Sequence, residues 1–196
     1  MKNTTATFFF RTAFFALLVF LHLPFSLWSQ TRYRASSGAI TVAGTSTLHD
    51  WKETSSKGSV NAVFTMSGNK ISDLALLVFT VPVTSLKSEH KTMDNNTYKA
   101  LKANKHPEIA YTLSSATVTP VNATTFTIKT KGKLTIAGTT RETDVDATAK
   151  VNADNSITVT GSKKLKMTDY GVTPPKVMMI KTGNDLTISY NLRLMK

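Results

Sequence analysis

The chain has 196 residues, with 24 Lys+Arg against 12 Asp+Glu, 41% hydrophobic residues, 18% charged residues and no cysteine. That length suits one domain able to bury a real core. The absence of cysteine excludes a disulfide scaffold, a thiolate metal site, a catalytic thiol, an iron–sulfur cluster and a lipidated N-terminal Cys.

The first thirty residues stand apart from the rest. Lys2 and Arg11 precede a run over residues 12–23 that is nearly all Phe, Ala, Leu and Val, and Pro24 ends it. A basic start, a short apolar run and small residues before a plausible cut predict a secretory signal peptide over 1–29, cleaved after Ser29 or close by. The apolar run falls short of the ~20 residues that a spanning helix needs. The folded domain is then expected over 30–196, with the net charge falling from +12 to +10 once Lys2 and Arg11 are removed. The expected location is periplasmic or extracellular.

Beyond Gly38, abundant threonine and a period of two predict eight strands, at roughly 38–48, 58–66, 71–83, 108–119, 123–137, 140–151, 155–167 and 185–194. Ile40, Val42, Ser46 and Leu48 share one parity, as do Val60, Ala62, Phe64 and Met66, so each stretch has one apolar and one polar face. Ser67-Gly68-Asn69, residues 152–155 and Gly183-Asn184-Asp185 read as hairpin turns. The third stretch is apolar on both faces and calls for an outer cover. Residues 92–103 break the alternation and predict a short helix, capped near Thr92 or Asp94 and stopped before Pro107. Met93, Thr97 and Leu101 would lie along one side of it, placed to cover the third strand. Eight sequential strands with a packing helix predict an all-β fold, an antiparallel β-barrel closed to remove its edges, with a β-sandwich as the alternative. An outer-membrane barrel fits poorly, because the second strand faces are mostly Thr, Ser, Lys and Asn.

Several motifs, in order, resemble those of the YceI-like, polyisoprenoid-binding family. They are Gly44-Thr45-Ser46-Thr47-Leu48-His49-Asp50-Trp51, then Pro82-Val83-Thr84-Ser85-Leu86-Lys87-Ser88, Met93-Asp94, Leu101-Lys102 and His106-Pro107-Glu108-Ile109. Lys133-Leu134-Thr135-Ile136-Ala137-Gly138-Thr139-Thr140-Arg141, Met167-Thr168-Asp169-Tyr170-Gly171-Val172-Thr173-Pro174-Pro175 and Leu186-Thr187-Ile188-Ser189-Tyr190 complete the set. The resemblance spans about 38–194. The chain departs from it at Lys176-Val177-Met178-Met179-Ile180, where a smaller, Gly-containing stretch is expected. The resemblance implies an eight-stranded lipocalin-like barrel around a long isoprenoid or amphiphilic lipid, in an exported protein that in some relatives is a homodimer.

The inward faces proposed from parity are Ile40, Val42, Phe64, Leu76, Val78, Ile109, Tyr111, Phe126, Ile128, Leu134, Ile136, Leu165, Met167, Ile188 and Tyr190. Tyr170 joins them from the loop over 170–175, which with residues 85–93 is expected to shape the opening. Periodicity alone favours a filled core, and it is the resemblance that turns the reading to a ligand-holding interior. Lysines gather around the helix (Lys87, Lys91, Lys99, Lys102, Lys105) and around the 170–175 loop (Lys163, Lys164, Lys166, Lys176, Lys181). They give a solvated surface, or attraction to an anionic membrane or head group; no nucleic-acid-binding motif accompanies them.

Catalytic and metal patterns are weak. His49, His90 and His106 lack metal-ligand spacing. Glu142, Asp144 and Asp146 read as an outward stripe, Gly132-Lys133 is followed by Leu134 where a phosphate loop needs Ser or Thr, and no GxSxG elbow occurs. The sequence predicts no enzyme and no cofactor beyond a bound lipid. The leading expectation is an exported lipid carrier making transient contact with a membrane. The alternative is an envelope interaction module with a filled core and a basic partner-binding surface.

Overall fold

A computed structural model describes residues 29–196, which form one antiparallel sheet closed on itself. In chain order the strands are β1 (Ser29–Ser46), β2 (Trp51–Ser55), β3 (Ser59–Ser67), β4 (Lys70–Pro82), β5 (Glu108–Pro120) and β6 (Thr125–Ile136). They continue as β7 (Thr139–Asp144), β8 (Ala147–Val151), β9 (Ile157–Lys166), β10 (Lys176–Val177) and β11 (Ile180–Met195), with helix α1 (Lys91–Ala100) between β4 and β5. The long β1 closes the sheet: it pairs with β11 along one edge and with β3 and β2 along the other. Because β2 and β3 both pair with that edge of β1, β7 and β8 both pair with one edge of β6, and the two-residue β10 pairs only with the start of β11, the eleven segments make eight staves. The fold is an eight-stranded antiparallel barrel with one short helix. The predicted signal peptide lies outside the described residues, except for Ser29, with which β1 begins.

Four local features depart from the sequence pattern. The stretch expected as one strand over 140–151 breaks at Val145 and Asp146. Side chains occupy the carbonyls freed by that break: Thr130 Oγ1 donates to the Val145 carbonyl at 2.5 Å, and the Tyr190 hydroxyl donates to that of Asp146. Tyr111 lies against Gly132 on β6, where an added Cβ would stand 2.5 Å from the ring's Cζ. Second, β2 has no apolar alternation to announce it, since only Trp51 is apolar in Trp51-Lys52-Glu53-Thr54-Ser55.

Third, β4 carries register shifts against β3: Val63 faces Leu76 while Phe64 faces Leu74, leaving Ala75 unpaired, and Ser72 is skipped in the same way. Each extra residue moves the following side chains to the other face. Leu77 and Phe79 therefore point into the barrel. Leu76 and Val78, placed inward from parity, belong to the opposite face, and Leu76 is 36% exposed. Fourth, β11 starts at Ile180 and runs through Gly183-Asn184-Asp185, which form a register irregularity opposite Gly44 and Ser46 instead of a turn. The turn lies at Met178 and Met179, with Met178 at φ 53°.

Helix α1 does not cover β4. It begins one residue early, with His90 at its N-cap making no side-chain capping bond, and Thr92 does not cap it. Asp94 is buried instead, accepting bonds from the Ser88 amide and hydroxyl at 2.7 Å each and pairing with Lys87 at 3.6 Å. Met93, Asn96, Thr97, Ala100 and Leu101 face one end of the barrel. At that end the eight staves are incomplete, since β7 pairs with β6 but not with β9. The 3₁₀ turn Met167–Tyr170 sits at this gap, where the Tyr170 hydroxyl meets Thr143 Oγ1 at 2.9 Å and Arg141 Nε donates to the Asp169 carbonyl.

Candidate functional site

Strand alternation gives the barrel an apolar inner wall, and that wall does not close up on itself. Two cavities lie along the axis. The upper one, about 330 Å³, sits under α1; the lower one is about 140 Å³. Leu165 and Ile188 belong to the walls of both. Successive inward residues place the two in order along each strand. Val42 is above Ile40 on β1, Ile109 above Tyr111 on β5, and Ile136 above Leu134 and Ile128 on β6. The upper volume reaches the lower edge of ordinary small-molecule sites, ~300–1,000 Å³. It meets the surface beside Leu48, Val177 and Ile180, all exposed.

Of the residues expected on the inner wall, Val42, Ile109, Ile136, Met167 and Tyr170 line the upper cavity. Ile40, Phe64, Tyr111, Ile128, Leu134 and Tyr190 line the lower one, and Leu165 and Ile188 line both. Phe126 is buried in the core outside either cavity. Leu76 and Val78 are on the outer face for the reason given above. The loops over 85–93 and 170–175 do border the upper cavity, through Leu86, His90, Thr92, Met93, Tyr170, Val172 and Pro175.

One wall residue escaped the sequence pattern. Glu53 on β2 lies opposite Val42, is 1% exposed, and faces the upper cavity. Thr97 Oγ1 on α1 donates to its Oε1 at 2.6 Å. Burial pushes the carboxyl from 4.5 up to about 7, the Thr97 bond opposes that rise, and Asp94 and Lys87 act in opposite directions. A carboxylate in a mostly polar five-residue segment reads as solvent-facing, and only the placement of α1 reveals otherwise. Glu142, Asp144 and Asp146 are all exposed, and among the described residues no group of three His, Asp or Glu side chains is gathered to hold a metal.

A closed antiparallel barrel with an apolar, partly empty interior is built to contain a slender ligand. The YceI-like domain model matches residues 18–194, and the chain belongs to that family. No curated protein matches it. Solved structures share the fold. Burkholderia cenocepacia BcnA is 18% identical with a TM-score of 0.63, over 80% of this chain and 95% of that one. A polyisoprenoid binding domain from Saccharophagus degradans is 11% identical with a TM-score of 0.61, over 83% and 97%. A Campylobacter jejuni YceI protein is 20% identical with a TM-score of 0.55, over 71% and 81%.

Proposed function

We propose that the protein is an exported, non-catalytic carrier that holds one polyisoprenoid or similar amphiphilic chain along the barrel axis. The observation that carries this reading is the pair of apolar cavities in line, which share Leu165 and Ile188 as wall residues, the upper one open beside Leu48. Membership of the YceI-like family supports it, as does the fold shared with a relative described as a polyisoprenoid binding domain. Export rests on the N-terminal sequence pattern. Glu53 and Thr97 supply a polar fixture in the upper cavity, where the head of an amphiphile would lie.

Energetics fit exchange better than storage. Burying about twenty hydrocarbon carbons at ~0.8 kcal/mol each is worth roughly 16 kcal/mol against water. A lipid drawn from a bilayer has already gained that term, so transfer into the barrel is near neutral and shape decides the balance.

Native mass spectrometry of protein purified from an exporting host, with solvent extraction of any adduct, tests the proposal. A stoichiometric isoprenoid or other long-chain amphiphile is expected. Ile128→Lys, which puts a charge into the lower cavity, should abolish the adduct, while Thr127→Lys on the opposite face keeps it. A clean apo mass that resists loading with quinones and polyprenyl lipids would instead leave a packed module that acts through its basic surface.

A further inference from the structure

We propose that the β10–β11 hairpin and the neighbouring 46–49 loop form a docking tip that seats the open end of the barrel on an anionic phospholipid bilayer. This goes beyond occupancy of the lumen, because it rests on side chains exposed around the mouth and not on what fills the interior. Lys176 pairs with Lys181 and Val177 with Ile180, leaving Met178 and Met179 as the turn, 91% and 89% exposed. The Thr47 amide donates to the Lys181 carbonyl at 3.0 Å and the Lys181 amide to Thr47 Oγ1 at 3.1 Å. Those two bonds hold Leu48, itself 65% exposed, beside the hairpin. The other large exposed apolar side chains, Leu76, Val121 and Met195, stand apart on β4, after β5 and at the chain end. Apolar exposure concentrated at one spot marks a contact surface.

Charge selects the occupant. Like charges directly opposite across two strands repel, and neither Lys176 nor Lys181 has an acidic partner among the described residues. A pair of unpaired lysines flanking an exposed Met-Met tip matches the boundary of an anionic bilayer, with thioether side chains entering the acyl edge and ammonium groups meeting phosphates. A two-fold contact between copies would set the same lysines against each other, and a tip this narrow offers far less area than a stable dimer buries. Val177 and Ile180 also line the mouth of the upper cavity, so docking would bring the lumen to the lipid surface.

Co-sedimentation with vesicles of phosphatidylcholine alone, or mixed with phosphatidylglycerol, tests this. Binding should favour the mixed vesicles and fall with added salt. Lys176→Ser with Lys181→Ser should lower partitioning onto them roughly 25-fold. Met178→Asp with Met179→Asp should lower it roughly tenfold or more, while Leu76→Asp on the barrel side leaves it unchanged. Thermal unfolding checks that the surface variants stay folded. Undiminished binding by the Asp variant, or no binding by the parent protein, overturns the proposal. So does sedimentation velocity showing that the tip variant loses self-association, which would make a second copy the occupant. Lumen loading, read separately by native mass, fails or holds independently of these outcomes.

Discussion

A buried carboxyl group facing a cavity lined by Val42, Leu86, Ile109 and Ile136 must find donors or keep its proton, and Glu53 has Thr97 as its donor. Asp94 and Lys87, an ion pair of their own, bias it in opposite directions, and His49 and His90 line the same cavity. Since burial raises the folded pKa from 4.5 to about 7, the native protein keeps a proton between those pH values that the unfolded chain has released. The stability this group contributes is complete below pH 4.5 and is lost as pH rises through 7. At ~1.4 kcal/mol per pH unit, the span from 4.5 to about 7 makes the full effect on the order of 3–4 kcal/mol. Asp94 shifts the other way: desolvation would raise it, but the Ser88 hydrogen bonds and Lys87 hold it below 3.8, outside that window. Glu53→Gln, which keeps an acceptor for Thr97, should therefore gain on the parent protein in urea midpoint between pH 5 and pH 8. A constant difference across that range would show that Glu53 does not titrate there.

Among the elements, the broken stave of β7 and β8 depends on side chains for its hydrogen bonding. Thr130 is buried and spends its proton on the Val145 carbonyl, so at 2.7 Å the Tyr111 hydroxyl must be the donor to Thr130 Oγ1. Thr130→Val keeps the volume but strips the Val145 carbonyl of its donor and leaves the Tyr111 hydroxyl only the Thr143 carbonyl at 3.5 Å, and should cost about 1–3 kcal/mol in urea unfolding, with Thr130→Ser much milder. Equal losses in the two variants would place the cost in packing instead. The same elements show what the sequence can convey. Period-two alternation in β3, β6 and β11 put Phe64, Ile128, Leu134, Ile188 and Tyr190 on the inner wall. Alternation counts residues, however, and bulges do not announce themselves: the unpaired Ser72 and Ala75 turned Leu76 and Val78 outward. Nor does a short polar segment such as β2 declare that it will be roofed by a helix, which is why Glu53 was invisible while its apolar neighbours were not. The Met178–Met179 turn was hidden for a related reason, since Gly183-Asn184 carries the stronger turn signal but is absorbed as an irregularity within β11.

At the scale of the whole molecule, a carrier of the kind proposed would sort bound chains by length, because its interior is divided into two volumes. A chain entering beside Leu48 would fill the upper cavity first and would reach the smaller lower one only past Leu165 and Ile188, which line both. Because bilayer and lumen are both apolar, selectivity comes from how many carbons find contact, at ~0.1–0.2 kcal/mol per atom pair, and from the cost of unfilled space. Closing the neck should thus change which lipid is carried before it changes whether one is carried. Ile188→Trp should shift the extracted lipids toward shorter chains, at an overpacking cost of about 1–3 kcal/mol in stability. Ser189→Trp, on the exposed opposite face of β11, should leave the chain-length distribution as it was. Masses of lipids extracted from the parent and the two variants decide the matter. An unaltered distribution in Ile188→Trp would mean that the chain never passes the neck and that the lower cavity is only loose packing in the core. A matching shift in Ser189→Trp would mean that the selectivity does not arise in the lumen.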